Sequence, residues 1–431
     1  MSRRSRLVTG MLTFTVPSLI LVSACGGTST PATSASSSPS ASSTPGASAA
    51  VSSSSTSTAD SNTSPTAPLV SSSVAGPVQL DDATTAKLQE SFQESFGTAF
   101  ANGVLTPGAV AYVSVGDDEW ISSLGVTDVT TGTPVDPGDH GRIGSISKPF
   151  VATAVLRLVG DGKLTLDDTL EQYIAGIPNG DSITIRQLLS MSAGVWSYTS
   201  DDELIASFQS DPMTPWTIDQ TIDLIRTHPA DYPPGEKVVY SDSNYVLLGR
   251  IIELVTGQPV GEVIRTQVVE PLGLTGTRMP ADDEPNVPDT SLGSYMPVDG
   301  NLVAVPDLNP TFAWTAGAMT STAADLAVLA RELTDSTLLT PELQAERLTI
   351  TQFTGAVANA GYGLGVIQLR DLTGHTGAIN GGGASMFRYV AGDATFVVLV
   401  NGSSNFENVA DLIANSLIAD LYPDQASRPG G

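Results

Sequence analysis

The chain divides at about residue 77 into a leading part that cannot build a hydrophobic core and a longer part that can. From Gly26 to Gly76 the residues are almost all Ser, Thr, Ala, Pro and Gly, and Asp60 is the only charged residue. Such a segment has too little apolar surface to offset the entropy lost on folding, so we expect residues 25–77 to be a disordered linker. Roughly 50 flexible residues span about 40 Å. The fold must therefore be built from residues 78–425.

The N-terminal 24 residues have the pattern of a secretory signal. Arg3, Arg4 and Arg6 form a basic start, and residues 7–24 carry no charge. A membrane-spanning helix is the alternative, because about 18 apolar residues are close to the minimum that crosses a bilayer. Pro17 within the uncharged run, and the small residues at its end, favour a cleaved signal over a spanning helix.

The end of this segment, Val22-Ser23-Ala24-Cys25, resembles a bacterial lipobox. In a lipobox the cysteine is lipidated and becomes the mature N-terminus. Cys25 is the only cysteine in the chain, which excludes an internal disulfide and a cysteine-rich zinc site. The resemblance implies a lipoprotein signal peptide at residues 1–24, a lipid anchor on Cys25 and an extracytoplasmic location at the outer face of the cell membrane. A buried thiol is the alternative for Cys25.

The charge balance argues against nucleic acid as a partner. Nineteen Lys and Arg oppose 45 Asp and Glu, which gives a formal net charge of −26. Binding to nucleic acid needs clustered basic residues that displace counterions from phosphates, and four lysines and fifteen arginines scattered along the chain do not supply such a surface. Its histidines, His140, His228 and His375, show no metal-ligand spacing, so we predict neither a metal site nor a cofactor.

The apolar pattern of the longer part is mixed. Residues 80–102 predict an amphipathic helix, because Leu88, Phe92, Phe96 and Phe100 recur every four positions. Further helices are expected between Gly144 and Gly160 and at Asn405–Leu421, and strands at Ala109–Val115, Trp120–Val126, Tyr362–Leu369, Met386–Val390 and Thr395–Val400.

The distribution of these elements predicts the fold class. Strands occur at both ends of the domain, whereas residues 164–280 show helices joined by Pro- and Gly-containing loops. We therefore predict an α/β fold of the α+β kind. In it an antiparallel sheet is flanked by helices, and a mostly helical subdomain is inserted at about residues 164–316.

The first candidate for chemistry is Ser145-Ile146-Ser147-Lys148, at the start of a predicted helix. Residues i and i+3 share a helix face, so Lys148 can act as the base for the Ser145 hydroxyl if its surroundings lower the lysine pKa. The helix N-terminus adds a partial positive charge that favours the developing anion. The alternative is a serine that caps the helix, followed by a solvated lysine.

Two further segments carry polar residues at places where a substrate could bind. Tyr240-Ser241-Asp242-Ser243-Asn244 precedes an apolar helical run, with helix capping as its alternative. Gly374-His375-Thr376-Gly377-Ala378 lies between predicted strands. Its small residues let a substrate approach the backbone, and an exposed N–H there can stabilise an oxyanion. A glycine-rich hairpin turn is the alternative.

In this order, S-x-x-K, Y-x-[ND] and [KH]-T-G resemble the serine β-lactamase and penicillin-binding-protein superfamily. The likeness is greatest to the branch of class C β-lactamases and D-alanyl-D-alanine carboxypeptidases, and it extends from about Pro107 to Asn401. Supporting segments are 142–144, 158–164, 185–189, 245–249, 315–319 and 361–365. The resemblance implies a β-lactamase/transpeptidase-like fold for residues 78–425.

The resemblance also implies roles for the residues that match the motifs. Ser145 would be the nucleophile that forms an acyl-enzyme. Lys148 and Tyr240 would take its proton and return one to the leaving group. The main-chain N–H groups of Ser145 and Ala378 would form the oxyanion hole.

Five more residues are implied in substrate binding. Thr376 and His375 would bind a substrate carboxylate, with Gly377 beside them, and Asp242 would hydrogen-bond Lys148 or the substrate amide. Trp314 would wall the pocket, with a core aromatic as the alternative. The negative charge of Asp242 favours a protonated lysine, which makes Tyr240 the alternative base.

The substrate follows less directly from the motifs. His375 stands where typical β-lactamases have lysine, and the H-T-G form resembles DD-peptidases and esterase-like relatives more closely. The resemblance therefore implies a serine hydrolase that acts as a D-alanyl-D-alanine carboxypeptidase on cell-wall peptides, and we expect a monomer. An esterase or β-lactamase of the same fold is the alternative, and so is a penicillin-binding sensor without turnover. The complete Ser, Lys and Tyr set disfavours the sensor.

Overall fold

The computed structural model describes residues 78–101, 106–282, 284, 291–298, 301–305, 308–355, 359–402 and 408–426. The predicted signal peptide, the lipidation site Cys25 and the linker lie outside the described residues. Residues 405–407, with which the last predicted helix begins, also lie outside them.

An antiparallel sheet forms the framework of the fold. The strands are β1 Gly108–Val115, β2 Asp118–Asp128, β3 Thr133–Pro134, β4 Gly141–Arg142, β5 Tyr295–Val298, β6 Asn301–Ala304, β7 Thr320–Ser321, β8 Thr351–Gln352, β9 Ala360–Tyr362, β10 Ile367–Leu369, β11 Leu372–Ile379, β12 Gly382–Tyr389 and β13 Ala394–Val400. Nine of them form the sheet in the order β3-β2-β1-β13-β12-β11-β10-β9-β8, and β4–β7 and β5–β6 form separate pairs.

The helices are α1 Asp82–Ala101, α2 Ser147–Gly160, α3 Ile185–Leu189, α4 Asp202–Ser210, α5 Ile218–Thr227, α6 Ser243–Thr256, α7 Val260–Ile264, α8 Trp314–Gly317, α9 Ala323–Thr334, α10 Pro341–Arg347 and α11 Val409–Leu421. Within the described ranges, none of them combines the length and the apolar character needed to cross a bilayer.

The two ends of the domain meet in the middle of the sheet, as the sequence predicts. Strand β1 pairs with β13, with Ala109 opposite Val400. Every residue of these two strands is buried, so both faces of the sheet are covered at this point. Helices α1, α9 and α11 provide the cover, and the buried Phe92 of α1 packs edge-on against Trp120 of β2. The predicted α/β fold with an antiparallel sheet is confirmed.

Two predicted strand boundaries are wrong. The segment Tyr362–Leu369 is not one strand but the antiparallel pair β9 and β10, because the chain reverses through Gly365 at a φ of +82°. A side chain there is also excluded, since a Cβ would lie 2.2 Å from the Ala152 Cβ. The segment Gly374–Ala378, which the sequence places between predicted strands with a hairpin turn as the alternative, is itself part of strand β11. The turn follows it, at Gly381.

The inserted region places the start of one of its helices beside the start of α2. Residues 164–280 contain helices α3 to α7 and none of the strands given above. The β5–β6 pair follows them in the chain. Helix α6 contacts α2, α3 and α8. The N-terminal ends of α2 and α6 thereby come together beside β11.

Candidate active site

Ser145 lies in a tight turn that leads into α2. Residues Gly144–Ile146 form one turn of 3₁₀-helix, and α2 begins at Ser147. The residue that caps α2 is Ile146, so helix capping does not explain Ser145. Gly144 has a φ of +49°, and a Cβ on it would lie 2.8 Å from the Ala378 nitrogen. Glycine thus permits the turn to press its backbone against β11.

The Lys148 side chain points into the protein toward three oxygen atoms. Its Nζ lies 2.9 Å from Ser145 Oγ, 2.7 Å from Asp242 Oδ1 and 2.7 Å from the carbonyl oxygen of Ala316. The side chain is 0% exposed. An ammonium group has three N–H donors and no acceptor, so these three oxygens satisfy it completely.

Burial and the neighbouring carboxylate have opposite effects on Lys148. Burial lowers the pKa of Lys148, and the charge and hydrogen bond of Asp242 raise it without cancelling that shift. The net effect is a pKa below the usual value for lysine. Asp242 therefore holds the lysine in place, while desolvation makes the neutral amine easier to reach.

Asp242 precedes α6 but does not cap it. No hydrogen bond joins its side chain to the first turn of that helix. Its Oδ1 accepts from Lys148 instead, and its Oδ2 accepts from the Thr199 hydroxyl at 3.1 Å. The capping interpretation of Asp242 is therefore wrong, and the structure has the contact with Lys148 that the family resemblance implies.

The Tyr240 hydroxyl lies in the same buried space. It has no hydrogen-bond partner among the described residues, and its ring centroid is 4.8 Å from Lys148 Nζ. Burial raises the pKa of Tyr240 well above its usual value, and the charge of Asp242 adds to that shift. The Ser145 hydroxyl acts in the opposite direction and lowers the pKa of Tyr240, although the geometry falls short of a full hydrogen bond. Tyr240 is therefore a phenol, able to donate a proton, at neutral pH.

Strand β11 presents an uncovered edge next to Ser145. Strand β10 pairs only with Leu372–Gly374, so the part of β11 that carries Thr376 and Ala378 has no strand on that side among the described residues. A Cβ on Gly377 would lie 1.9 Å from the Ile143 carbonyl oxygen and 3.0 Å from the Ser145 nitrogen. The backbone N–H groups of Ser145 and Ala378 are thus brought to one place, as an oxyanion hole requires.

His375 is buried beside Tyr240. Its ring is 1% exposed and lies between Tyr240 and Tyr362. Its Nδ1 is 2.5 Å from the Thr376 carbonyl, which can only accept, so Nδ1 carries the proton and Nε2 accepts from the Tyr362 hydroxyl at 3.0 Å. Burial lowers the pKa of His375 to about 3, with a further contribution from the Lys148 charge. A neutral, buried imidazole does not offer the carboxylate contact that we predicted from sequence.

Trp314 is a core residue, the alternative that we named for it. It is 2% exposed and packs against α6, where a Cβ on Gly249 would lie 2.8 Å from the indole Cζ3. Its φ of +40° is a strained conformation for a large side chain. The strained residue is the first of α8, and the Ala316 carbonyl of this helix accepts a hydrogen bond from Lys148.

The sequence interpretation missed several contacts of the site. From sequence, Ala316 is recognised only as part of the supporting segment 315–319, because a backbone carbonyl that accepts a hydrogen bond has no sequence signature. Thr199 binds Asp242, and Tyr362 binds His375. Gly361-Tyr362-Gly363 was noted as a supporting segment, and its aromatic residue between two glycines was the available signal for Tyr362.

Comparisons with known proteins agree with this geometry. The family model described as Beta-lactamase matches residues 97–420. A putative D-alanyl-D-alanine carboxypeptidase of Escherichia coli (strain K12) is 33% identical over 159 residues, which are 34% of each chain. Penicillin-binding protein 4 of Amycolatopsis lactamdurans is 31% identical over 238 residues, 52% of this chain and 58% of the relative. The chain thus spans only a part of the length of these relatives.

Two solved structures resemble nearly the whole folded part. The D-stereospecific amidohydrolase from Streptomyces sp. has a TM-score of 0.69 at 29% identity, over 78% of this chain and 98% of that one. The octameric penicillin-binding protein homologue from Pyrococcus abyssi has a TM-score of 0.68 at 26% identity, over 80% of this chain and 78% of that one.

The buried imidazole predicts a dependence of stability on pH. The unfolded chain protonates His375 near pH 6.5, whereas the folded protein does so only near pH 3. The unfolded state therefore binds more protons in this window, and His375 makes the free energy of unfolding decrease, as the pH is lowered from about 6.5 to about 3, by up to about 1.4 kcal/mol per pH unit. The free energy of unfolding, measured by urea titration at several pH values from 5 to 7, should change more steeply with pH for wild type than for His375→Gln.

The pH dependence of the free energy of unfolding must be compared between wild type and His375→Gln, because a second buried group also affects it. Burial raises the pKa of Asp411 to about 7, and a carboxyl that keeps its proton in the folded state has the opposite effect on stability. The difference between the pH dependences of wild type and variant removes the contribution of Asp411, which both proteins share. Equal slopes for the two proteins would show that the imidazole is not held neutral by the fold.

Proposed function

The chain belongs to the beta-lactamase family of serine hydrolases, and on that premise we propose that it forms an acyl-enzyme on Ser145 and acts as a D-alanyl-D-alanine carboxypeptidase-like peptidase on cell-wall peptides. One observation carries the proposal. Lys148 Nζ, fully buried, lies 2.9 Å from Ser145 Oγ, next to the uncovered edge of β11 at Ala378. A nucleophile, a base with a lowered pKa and two oxyanion donors thus meet at one place.

In the acylation step, Ser145 Oγ attacks the carbonyl carbon of the substrate and its proton passes to the neutral amine of Lys148. We assign the base role to Lys148 rather than Tyr240, because burial lowers the pKa of the lysine and raises that of the phenol. The negative oxygen of the tetrahedral intermediate accepts hydrogen bonds from the N–H groups of Ser145 and Ala378.

The intermediate then collapses to products. The C–N bond breaks, the leaving nitrogen takes the Tyr240 hydroxyl proton, and the Lys148 ammonium returns a proton to Tyr240. Water then attacks the acyl-enzyme by the same sequence of proton transfers. One water is consumed, one acid and one amine are released, and Ser145 is regenerated.

The substrate class is proposed from the strand edge and from the relatives. A peptide can add to the free edge of β11 as an extra strand, which presents a backbone carbonyl to Ser145. Two of the similar proteins are named for D-alanyl-D-alanine carboxypeptidase and penicillin-binding proteins. We infer that the acyl group is a peptide ending in D-alanine.

The location is proposed from the sequence. The lipobox-like segment at Cys25 would tether the enzyme to the outer face of the cell membrane. The linker at residues 25–77 would let the hydrolase domain reach about 40 Å from it. Cell-wall peptides lie within that reach.

An amidase or esterase is the second candidate, and the burial of His375 favours it. A carboxypeptidase substrate ends in a carboxylate, but the neutral ring of His375 gives that charge no cation, which leaves the half-buried Thr376 to bind it. The similarity to the D-stereospecific amidohydrolase supports the same candidate. Both candidates use the same acyl-enzyme chemistry.

Ser145→Ala should abolish covalent capture of a labelled penicillin, because no other described residue combines a hydroxyl with a buried amine at hydrogen-bond distance. Intact mass of residues 78–431 should show one added label on wild type and none on the variant. Ser95→Ala, which removes a hydroxyl from α1, should still be labelled. A wild-type protein that takes no label, and releases no product from peptides or esters, would contradict the proposal.

The same protein separates the candidates through a matched pair of substrates. A peptide ending in D-Ala-D-Ala should be hydrolysed faster than its C-terminal amide if the carboxypeptidase proposal is right. Faster hydrolysis of the amide or of nitrophenyl esters would favour the second candidate. Fast hydrolysis of the penicillin itself would indicate a β-lactamase, and a permanent adduct without turnover would indicate a sensor.

Cys25→Ser should remove the anchor, because the thiol is the only group in the chain that the lipobox-like segment could have lipidated. In cells, wild type should fractionate with membranes, and the variant should be released or remain unprocessed. Ser23→Thr, which keeps the cysteine, is the control. Equal membrane retention of wild type and the cysteine variant would contradict the anchor.

A further inference from the structure

Asn408 uses its whole side-chain amide to join α11 to the strand that carries Ala378. Its Oδ1 accepts from the Ala410 N–H at 3.2 Å, which caps the helix. Its Nδ2 donates to the Gly377 carbonyl at 3.3 Å and to the Ala384 carbonyl at 3.2 Å. An amide nitrogen has two hydrogens, so both are used.

These two contacts, together with the pairing of β11 and β12, show the direction of one peptide group. Gly377 and Ala384 lie opposite each other in the β11–β12 pair. One nitrogen reaches both carbonyls only if both point into the gap between the strands. The Gly377 carbonyl therefore faces β12. The C=O and N–H of a trans peptide point in opposite directions, so the Ala378 N–H faces the uncovered edge beside Ser145.

From this arrangement we propose that Asn408 is a positioning residue of the oxyanion hole, which orients and polarises the Gly377–Ala378 peptide. The inference rests on the proposed function, since it gives the Ala378 N–H its task. A hydrogen bond to the carbonyl of a peptide strengthens the N–H of the same unit as a donor. Oxyanion donors act through fixed orientation, so a contact that prevents rotation of this peptide contributes to the rate.

The packing around Asn408 supports a fixed amide. A Cβ on Gly383 would lie 2.7 Å from Asn408 Oδ1 and 3.0 Å from Val400 Cγ2. Glycine at this position of β12 leaves the space that the amide fills. The side chain is thus held by the helix start on one side and by two strands on the other.

Helix capping alone is the competing explanation, and two substitutions separate it from the proposal. Asn, Asp and Ser are comparable N-caps. Asn408→Asp and Asn408→Ser therefore retain a capping oxygen, but neither can donate two N–H bonds to the strand carbonyls. Thr340→Ala removes the N-cap of α10, which is far from β11 in the chain, and serves as the control for capping.

The test is the rate of acylation by a chromogenic penicillin over a range of concentrations, which gives the limiting rate and the dissociation constant separately. In both Asn408 variants the limiting rate should fall about tenfold or more, less than the hundredfold or more that loss of an oxyanion donor costs. The dissociation constant should stay near wild type, and the thermal midpoint should fall less in Asn408→Ser than in Asn408→Asp, whose carboxylate would face two carbonyl oxygens and the buried Asp411. Thr340→Ala should lose stability and keep the wild-type rate.

A second readout follows the hole itself. In an acyl-enzyme with a ¹³C-labelled carbonyl, weaker donors should shift the C=O stretching band of both Asn408 variants to higher frequency. A wild-type limiting rate in either folded variant, or a change confined to the dissociation constant, would overturn the proposal. If wild type itself forms no acyl-enzyme, the proposed function fails and this inference fails with it.

Discussion

The buried ammonium group of Lys148 is the constraint on which the site depends. A buried charge without partners is costly, so the fold must supply acceptors for all three N–H bonds. They come from separate parts of the chain: Ser145 from the adjoining turn, Asp242 from the start of α6 and the Ala316 carbonyl from α8. The inserted helical region is thus fixed against α2 by the group that is proposed to act as the base.

The sheet supplies the other half of the site through close backbone contact. Gly144 and Gly377 let the turn that carries Ser145 touch β11, because a Cβ on Gly144 would meet the Ala378 backbone and a Cβ on Gly377 would meet the backbone of Ile143 and Ser145. Strand β10 ends early, which leaves the Ala378 N–H at a free edge. Asn408 then links this edge to α11. The proposed chemistry is therefore placed where the two ends of the domain and the inserted region meet.

Much of this organisation was predictable from the sequence, because apolar periodicity marks the long helices and the central strands and three motifs mark the site. Contacts that depend on tertiary structure were not. Gly365 divides a predicted strand because its φ is positive, and no local pattern fixes that sign. The motif at His375 predicted a contact with a substrate carboxylate, but the ring is buried between Tyr240 and Tyr362, and both of its nitrogens already have partners. The Ala316 carbonyl and the Asn408 amide lie far from Ser145 in sequence and carry no motif.

The proposed chemistry requires that Lys148 lose its proton more readily than an exposed lysine, and this can be measured directly. The chain has three other lysines, Lys87, Lys163 and Lys237, so selective ¹³C labelling of the lysine side chains gives a simple NMR titration. Lys148→Met identifies the signal of interest. We predict that this signal titrates at a lower pH than the other three. A Lys148 signal that titrates together with them, or above them, would contradict its role as the base.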